Sequence, residues 1–167
     1  MALTCLTVLG RLWLIPSLRW RVHDWLEAGG YSVRLVRDDK ASFNYEATGY
    51  GFTVNVFVPL TQTDVQIGHR MAMSETLLKE YKALSDDEQA LIRLHIALDC
   101  LRQQLGCTAL EAPLVKGFVV EDGIQVGPET TREQFLREVI RVGNSGKLIN
   151  AIFAEEFALK AAGRLRR

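Results

Sequence analysis

The sequence lacks most of the residue spacings that advertise chemistry. Its three histidines, His23, His69 and His95, fall in neither H-E-x-x-H nor any other metal-ligand spacing. It has no P-loop, no G-x-G-x-x-G and no G-x-S-x-G nucleophile elbow. Gly49-Tyr50-Gly51 is followed by neither a third glycine nor a helix, so it reads as a hairpin turn. Cys5, Cys100 and Cys107 are an odd set without C-x-x-C, which argues against a disulfide framework or a zinc knuckle and fits a reducing cytoplasm. Charge of one sign is also missing. Lys+Arg and Asp+Glu are both 20, so the electrostatic footprint of a nucleic-acid binder is absent. Such binding would require Arg11, Arg19, Arg21, Arg34 and Arg37 to meet on one face. No internal repeat, linker or low-complexity segment interrupts the chain.

Long apolar runs are missing too. Residues 1–15 are mostly apolar, but the run is too short to span a bilayer, and Arg11 breaks it where a signal peptide would stay apolar. It reads as a leader: an extra strand, a loosely packed segment or a start placed too early, with membrane contact the lesser reading. The remainder, 16–167, is long enough for one domain that buries roughly 70% of its unfolded surface, and its length and 48% hydrophobic content suit a globular fold.

What is present is alternation. Between Tyr31 and Ile67, Phe43, Tyr45 and Ala47 alternate with Ser42, Asn44, Glu46 and Thr48. Phe52, Val54, Val56 and Val58 alternate with Thr53, Asn55 and Phe57. A period of two places one set on a buried face of a strand. The gaps at Asp38-Asp39-Lys40 and Thr48-Gly49-Tyr50-Gly51 are too short for parallel crossovers, so the stretch is a predicted antiparallel meander. Pro59 ends the third strand, and Thr63–Ile67 offers a fourth.

Helices flank it. Pro16-Ser17 opens one that carries Leu18, Val22, Trp25 and Leu26 on one face and stops at Gly29-Gly30; Trp20 and Trp25 are expected in the core. Ser74 caps a second helix over 75–84. Ser85 and Glu88 form a capping box for a third that runs to about Leu105, with Leu91, Leu94, Leu98, Leu101 and Leu105 as its apolar stripe and Gly106 as its stop. Cys107–Leu110 and Leu114–Val120 are two further strands, the second broken by Glu121-Asp122-Gly123. Thr130 or Thr131 starts a long last helix. Phe135, Val139, Val142, Gly146, Ile149, Phe153 and Phe157 form one line, widened by Leu136, Ile140, Leu148 and Ile152 to two faces. Gly143-Asn144-Ser145-Gly146 either weakens this helix or lets another backbone come close. Arg164, Arg166 and Arg167 are a short basic end. The order α-β-β-β(-β)-α-α-β-β-α is an α+β layout with helices on a mainly antiparallel sheet.

With that order in place, the chain resembles the YbjN-like group of the type III secretion chaperone-like superfamily. The residues that carry the resemblance are Trp25-Leu26-Glu27-Ala28-Gly29-Gly30-Tyr31, the strands at Phe43-x-Tyr45 and Phe52–Val58, Leu84-Ser85-Asp86-Asp87-Glu88, and Glu121-Asp122-Gly123 before the long helix. The resemblance implies a chaperone-like fold and homodimers, with no catalytic residues to carry over. The expectation is a non-enzymatic, cytoplasmic protein-binding module, chaperone-like or regulatory, that forms a homodimer and uses no cofactor or metal. Its candidate partner-binding residues are Phe57 and Asn55 on the outer face of the third strand and Phe153 and Phe157 on the last helix. The alternative is a small-molecule-binding domain or enzyme, which requires a concave pocket with convergent polar groups.

Overall fold

Hairpin chemistry sets the sheet. Tyr50 and Gly51 both take positive φ, 52° and 74°, closing a two-residue loop whose twist matches the flanking strands. A tyrosine in this region is strained, and here its hydroxyl donates to Gly29 O at 2.8 Å while its ring meets Tyr31 edge-on at 5.2 Å. The turn fixes the register Gly49↔Phe52, Ala47↔Val54 and Tyr45↔Val56, so the apolar sets of both strands share one face.

The structure, a computed structural model, describes residues 17–110 and 117–161, with side chains for 17–107 and 117–155. The elements are α1 (17–28), β1 (Ser32–Leu35), β2 (Ala41–Gly49), β3 (Phe52–Pro59), β4 (Val65–Ala72), α2 (Glu75–Lys82), α3 (Asp86–Arg102), β5 (Gly106–Leu110), β6 (Gly117–Ile124) and α4 (Arg132–Ala161). The fold is α+β, with the six strands in one antiparallel sheet ordered β1-β2-β3-β4-β6-β5. The apolar leader at 1–15, Pro113 and the basic end lie outside the described residues.

Contacts cluster into two compact units: Met1–Ile67 with Gly123–Val139, and Gly68–Asp122 with Ile140–Arg167. In the first, Val22 and Leu26 of α1 are fully buried, as are Ala47, Val54, Val56 and Val58 of the meander. Each buried valine or leucine contributes about 1.5–3 kcal/mol. Trp25 lies 5.5 Å from the Phe135 ring with the Arg21 guanidinium over its face. Trp20 departs from expectation. It is 65% exposed, because it sits two residues from Val22 and so on the far side of α1. Arg19, Arg21 and Arg34 go to separate partners, Tyr45, the Val126 carbonyl and Glu46.

Tyr31 also belongs to this unit. Its ring packs where Gly49 lacks a side chain; a Cβ there would stand 2.8 Å from Tyr31 Cδ1. The residue is 4% exposed, and its hydroxyl has no hydrogen-bond partner among the described residues. Burial, with Tyr50 facing it, pushes its pKa from 10.0 to about 12. The unfolded chain therefore ionises first. The stability that protonated Tyr31 contributes is fully present below the unfolded pKa of 10.0 and is lost as pH rises to about 12, by on the order of 2 kcal/mol. Tyr31→Phe is expected to abolish that alkaline loss in urea titrations at stepped pH. An unchanged profile in the variant would assign the loss to another group.

In the second unit, Tyr81, Phe118 and Phe153 pack as an aromatic cluster, with Phe153 6.2 Å from Tyr81 and 5.6 Å from Phe118. Ser74 caps α2 and Ser85 closes the expected capping box on α3. Thr131, rather than Thr130, caps α4, accepting from Gln134 N at 3.2 Å. Several boundaries differ from expectation, and β4 runs Val65–Ala72 rather than Thr63–Ile67. α2 stops at Lys82. α3 stops at Arg102, and Gln104, not Gly106, takes the positive φ of 56° that turns the chain; Gly106 instead opens β5. β6 continues through Glu121-Asp122-Gly123, because Glu121 pairs with Gly106 and the Asp122 carboxylate accepts from Arg141 of α4. Arg141 also donates to Gln103 O at 3.0 Å, tying the α3–β5 turn to α4. α4 runs unbroken past Gly143–Gly146, and a side chain rather than a backbone comes close there: a Cβ on Gly146 would land on the His69 ring.

Candidate interaction surface

α3 holds the clearest unpartnered feature. Its inward stripe is Ile92, Ile96 and Cys100, exposed by 6%, 2% and 1%. The leucines expected to face the core are turned out: Leu91 is 47% exposed, Leu94 53%, Leu98 41% and Leu101 69%. Only Leu105, past the helix, is buried. At 3.6 residues per turn the centres of the two stripes lie about 180° apart. Both have helical spacing, so periodicity alone does not choose between them. The β-branched isoleucines pack against the interior and leave the leucine stripe outward.

The outward stripe has a second property. Leu91, Leu94, Leu98 and Leu101 repeat with steps of three, four and three, the spacing of a coiled-coil seam. Every exposed residue from Ala90 to Leu101 is alanine or leucine: Ala90, Leu91, Leu94, Ala97, Leu98 and Leu101. The charged residues in this span point elsewhere. Arg93 donates to the Tyr81 hydroxyl at 2.8 Å, and Asp99 accepts from Arg102 at 2.8 Å. A charge-free apolar ridge of this kind marks an association surface more often than a solvated one.

The residues singled out from sequence are not gathered into one place. Phe57 is half-buried on the outer face of β3, opposite Asn44, as its alternation implies. Asn55 shares that face, but its amide donates to Asn44, whose own amide donates to Asp38, so a hydrogen-bonded polar ladder surrounds Phe57. Phe153 is 4% exposed within the aromatic cluster, which makes it a core contact and removes it from the surface candidates. Phe157 falls on α4, but its side chain lies outside the described residues. The second face of α4 is partly open, with Ile140 37% and Leu148 51% exposed.

One cluster was not anticipated. His23 Nδ1 lies 3.7 Å from Asp24 Oδ1 and 3.5 Å from Glu27 Oε2, and one donor atom of each residue falls within 4.8 Å of the others. The signal was legible as His-Asp-x-x-Glu on a helix. Asp24 and Glu27 are 73% and 58% exposed, and the i,i+4 spacing accounts for the His23–Glu27 approach without a ligand. The His23 ring also rests against Tyr45 at 5.4 Å.

No curated protein matches the chain. Among solved structures, an uncharacterized protein from Methanothermobacter thermautotrophicus is similar in fold, with a TM-score of 0.71 at 17% identity, over 83% of this chain and 98% of that one. A family model described as "Uncharacterized conserved protein (DUF2299)" matches residues 18–153, a span from α1 to the Phe153 turn of α4, and the chain belongs to that family.

Proposed function

We propose that this chain is a non-enzymatic protein-binding module that self-associates as a homodimer through the leucine ridge of α3. The observation that carries the reading is the outward Leu91/Leu94/Leu98/Leu101 repeat, with Ala90 and Ala97 the other exposed residues between Ala90 and Leu101 and charged Asp87, Glu88 and Arg102 at its two ends. Two such ridges, one from each copy, interlock as knobs into holes and remove from water the apolar surface that a monomer leaves open. A second copy is the simplest partner, since an isologous contact needs only this one self-complementary stripe. A chaperone-like or regulatory role rests on the architectural resemblance to the YbjN-like group. A cytoplasmic setting fits the free thiols of Cys100 and Cys107.

Light scattering coupled to size-exclusion chromatography tests the proposal on the full chain, on a chain starting at Pro16 and on the double variant Leu94→Glu/Leu98→Glu. The first two are expected to be dimers. The variant is expected to be a monomer with unchanged circular dichroism, because neither side chain supports the core. A monomeric full chain would sink the self-association reading. A dimeric double variant would move the interface off α3, and association lost only on removing 1–15 would assign it to that segment.

A further inference from the structure

The leucine ridge of α3 reads the same from both ends. Its steps are three, four and three, so a second ridge fits against it in either direction, with the same polarity or reversed. Leucine alone does not choose between the two. The choice falls to the residues that flank and end the ridge.

The two flanks differ. At 3.6 residues per turn, Ala90 and Ala97 lie along one side of the leucines, and Glu88, His95 and Arg102 lie along the other. The alanine side allows close approach. The other side runs from acid to base. The first turn of α3 carries Asp86, Asp87 and Glu88, and the last turn carries Arg102. Asp87 stands four residues before Leu91 and continues the leucine line into the acidic end. These charged residues are exposed. Glu88 Oε2 accepts from the Ser85 hydroxyl and Arg102 Nη1 donates to Asp99, both at 2.8 Å, which anchors each charge at its own end of the helix. Such anchoring does not exhaust either group, since a carboxylate accepts several hydrogen bonds and a guanidinium donates several.

We infer that the α3 helices of two copies pack antiparallel, about a twofold axis that crosses the seam midway between Leu94 and Leu98. This packing presupposes the self-association through α3 proposed above and specifies its orientation. In it Leu91 of one copy meets Leu101 of the other, Leu94 meets Leu98, and the two Ala97 residues face each other across the axis. Glu88 of each copy comes beside Arg102 of the other, so both ends of the seam carry a pair of opposite charges. The helix dipoles also run in opposite directions, with each acidic first turn beside a basic last turn. Packing with the same polarity does the reverse. Asp87 would face Asp87 on the leucine line, Asp86 and Glu88 of both copies would crowd beside it, and the two Arg102 residues would share the far end. Like charges brought together in this way work against that arrangement.

Disulfide trapping on the full chain tests the orientation with two single variants, Ala97→Cys and Leu91→Cys. Each is oxidised with copper phenanthroline beside the parent chain, and the bridges are mapped by mass spectrometry. Mapping separates a bridge at the introduced thiol from any at Cys5, Cys100 or Cys107. Antiparallel packing brings the two copies of position 97 together and holds the two copies of position 91 about 15 Å apart along the helix axis, against a disulfide reach of about 7 Å between Cα atoms. The expected result is a bridge between chains at position 97 in the first variant and none at position 91 in the second. A bridge at position 91, with or without one at position 97, would overturn the orientation and leave self-association standing. A monomeric parent chain in light scattering would overturn both, and so would a dimeric parent whose variants bridge at neither position. Arg102→Ala gives a second readout that leaves the ridge unaltered. Arg102 is 76% exposed and off the leucine line, so its truncation leaves the fold in place. At low salt the dimer is expected to dissociate about fivefold more readily, through the loss of two exposed ion pairs, and the difference should close at high salt. An Arg102→Ala dimer as tight as the parent at low salt would remove the end pairs and overturn the orientation with them.

Discussion

Ile96→Ala is expected to destabilise the fold by about 3 kcal/mol, whereas Leu98→Ala, two residues on, is expected to change it by no more than about 0.5 kcal/mol. Ile96 is 2% exposed and Leu98 41%. Truncating the isoleucine removes buried methyl groups and leaves a cavity whose walls lose dispersion contacts. Truncating the leucine takes apolar surface away from water that already reaches it. Urea unfolding followed by circular dichroism measures both. The protein should be dilute enough to be monomeric, because a dimer adds a concentration-dependent term to the stability of either variant. The opposite ranking would put the leucine stripe inside and remove the surface on which self-association rests. The same pair read at high concentration gives a second check: Leu98→Ala should weaken association even though it leaves the monomer intact.

Gly117→Ala is expected to cost about 3 kcal/mol or more, at the upper end of what overpacking does. A Cβ at this first residue of β6 falls on the Met71 carbonyl oxygen of β4, its neighbour in the sheet. The obstacle is backbone, so no rotamer change relieves it, and the two strands must separate or shift. Gly127→Ala is the control. Nothing lies within 4 Å of a Cβ placed there, and the change is expected to stay within about 1 kcal/mol of zero. Thermal unfolding of the two variants separates them. A Gly117→Ala protein as stable as the parent would mean that β4 and β6 do not approach in this register at Met71.

Glu121-Asp122-Gly123 shows where local reading stops. Two acids before a glycine carry a turn signal, yet the segment is strand, because Gly106 pairs with Glu121 and Arg141 neutralises Asp122 from a helix nineteen residues later. Gly106 misleads in the same way. It follows a helix at the position of a C-terminal stop, but Gln104 makes the turn, and Gly106 serves β5, where a Cβ would press on Glu121 at 3.2–3.3 Å. Partners brought from a distance overrode a local preference in each case.

By itself the sequence determined the meander from Phe43 to Val58, its Gly49-Tyr50-Gly51 turn, the Ser74 and Ser85 caps, and the α+β order. These rest on period-two alternation, backbone conformation and side-chain-to-backbone hydrogen bonds that close within a few residues. Tertiary structure alone decided which stripe of α3 faces inward and that Phe153 faces in. Periodicity says that a helix has an apolar face but not which of two such faces meets the rest of the chain. That choice depends on packing against residues distant in sequence, and on α3 it leaves four leucines in water.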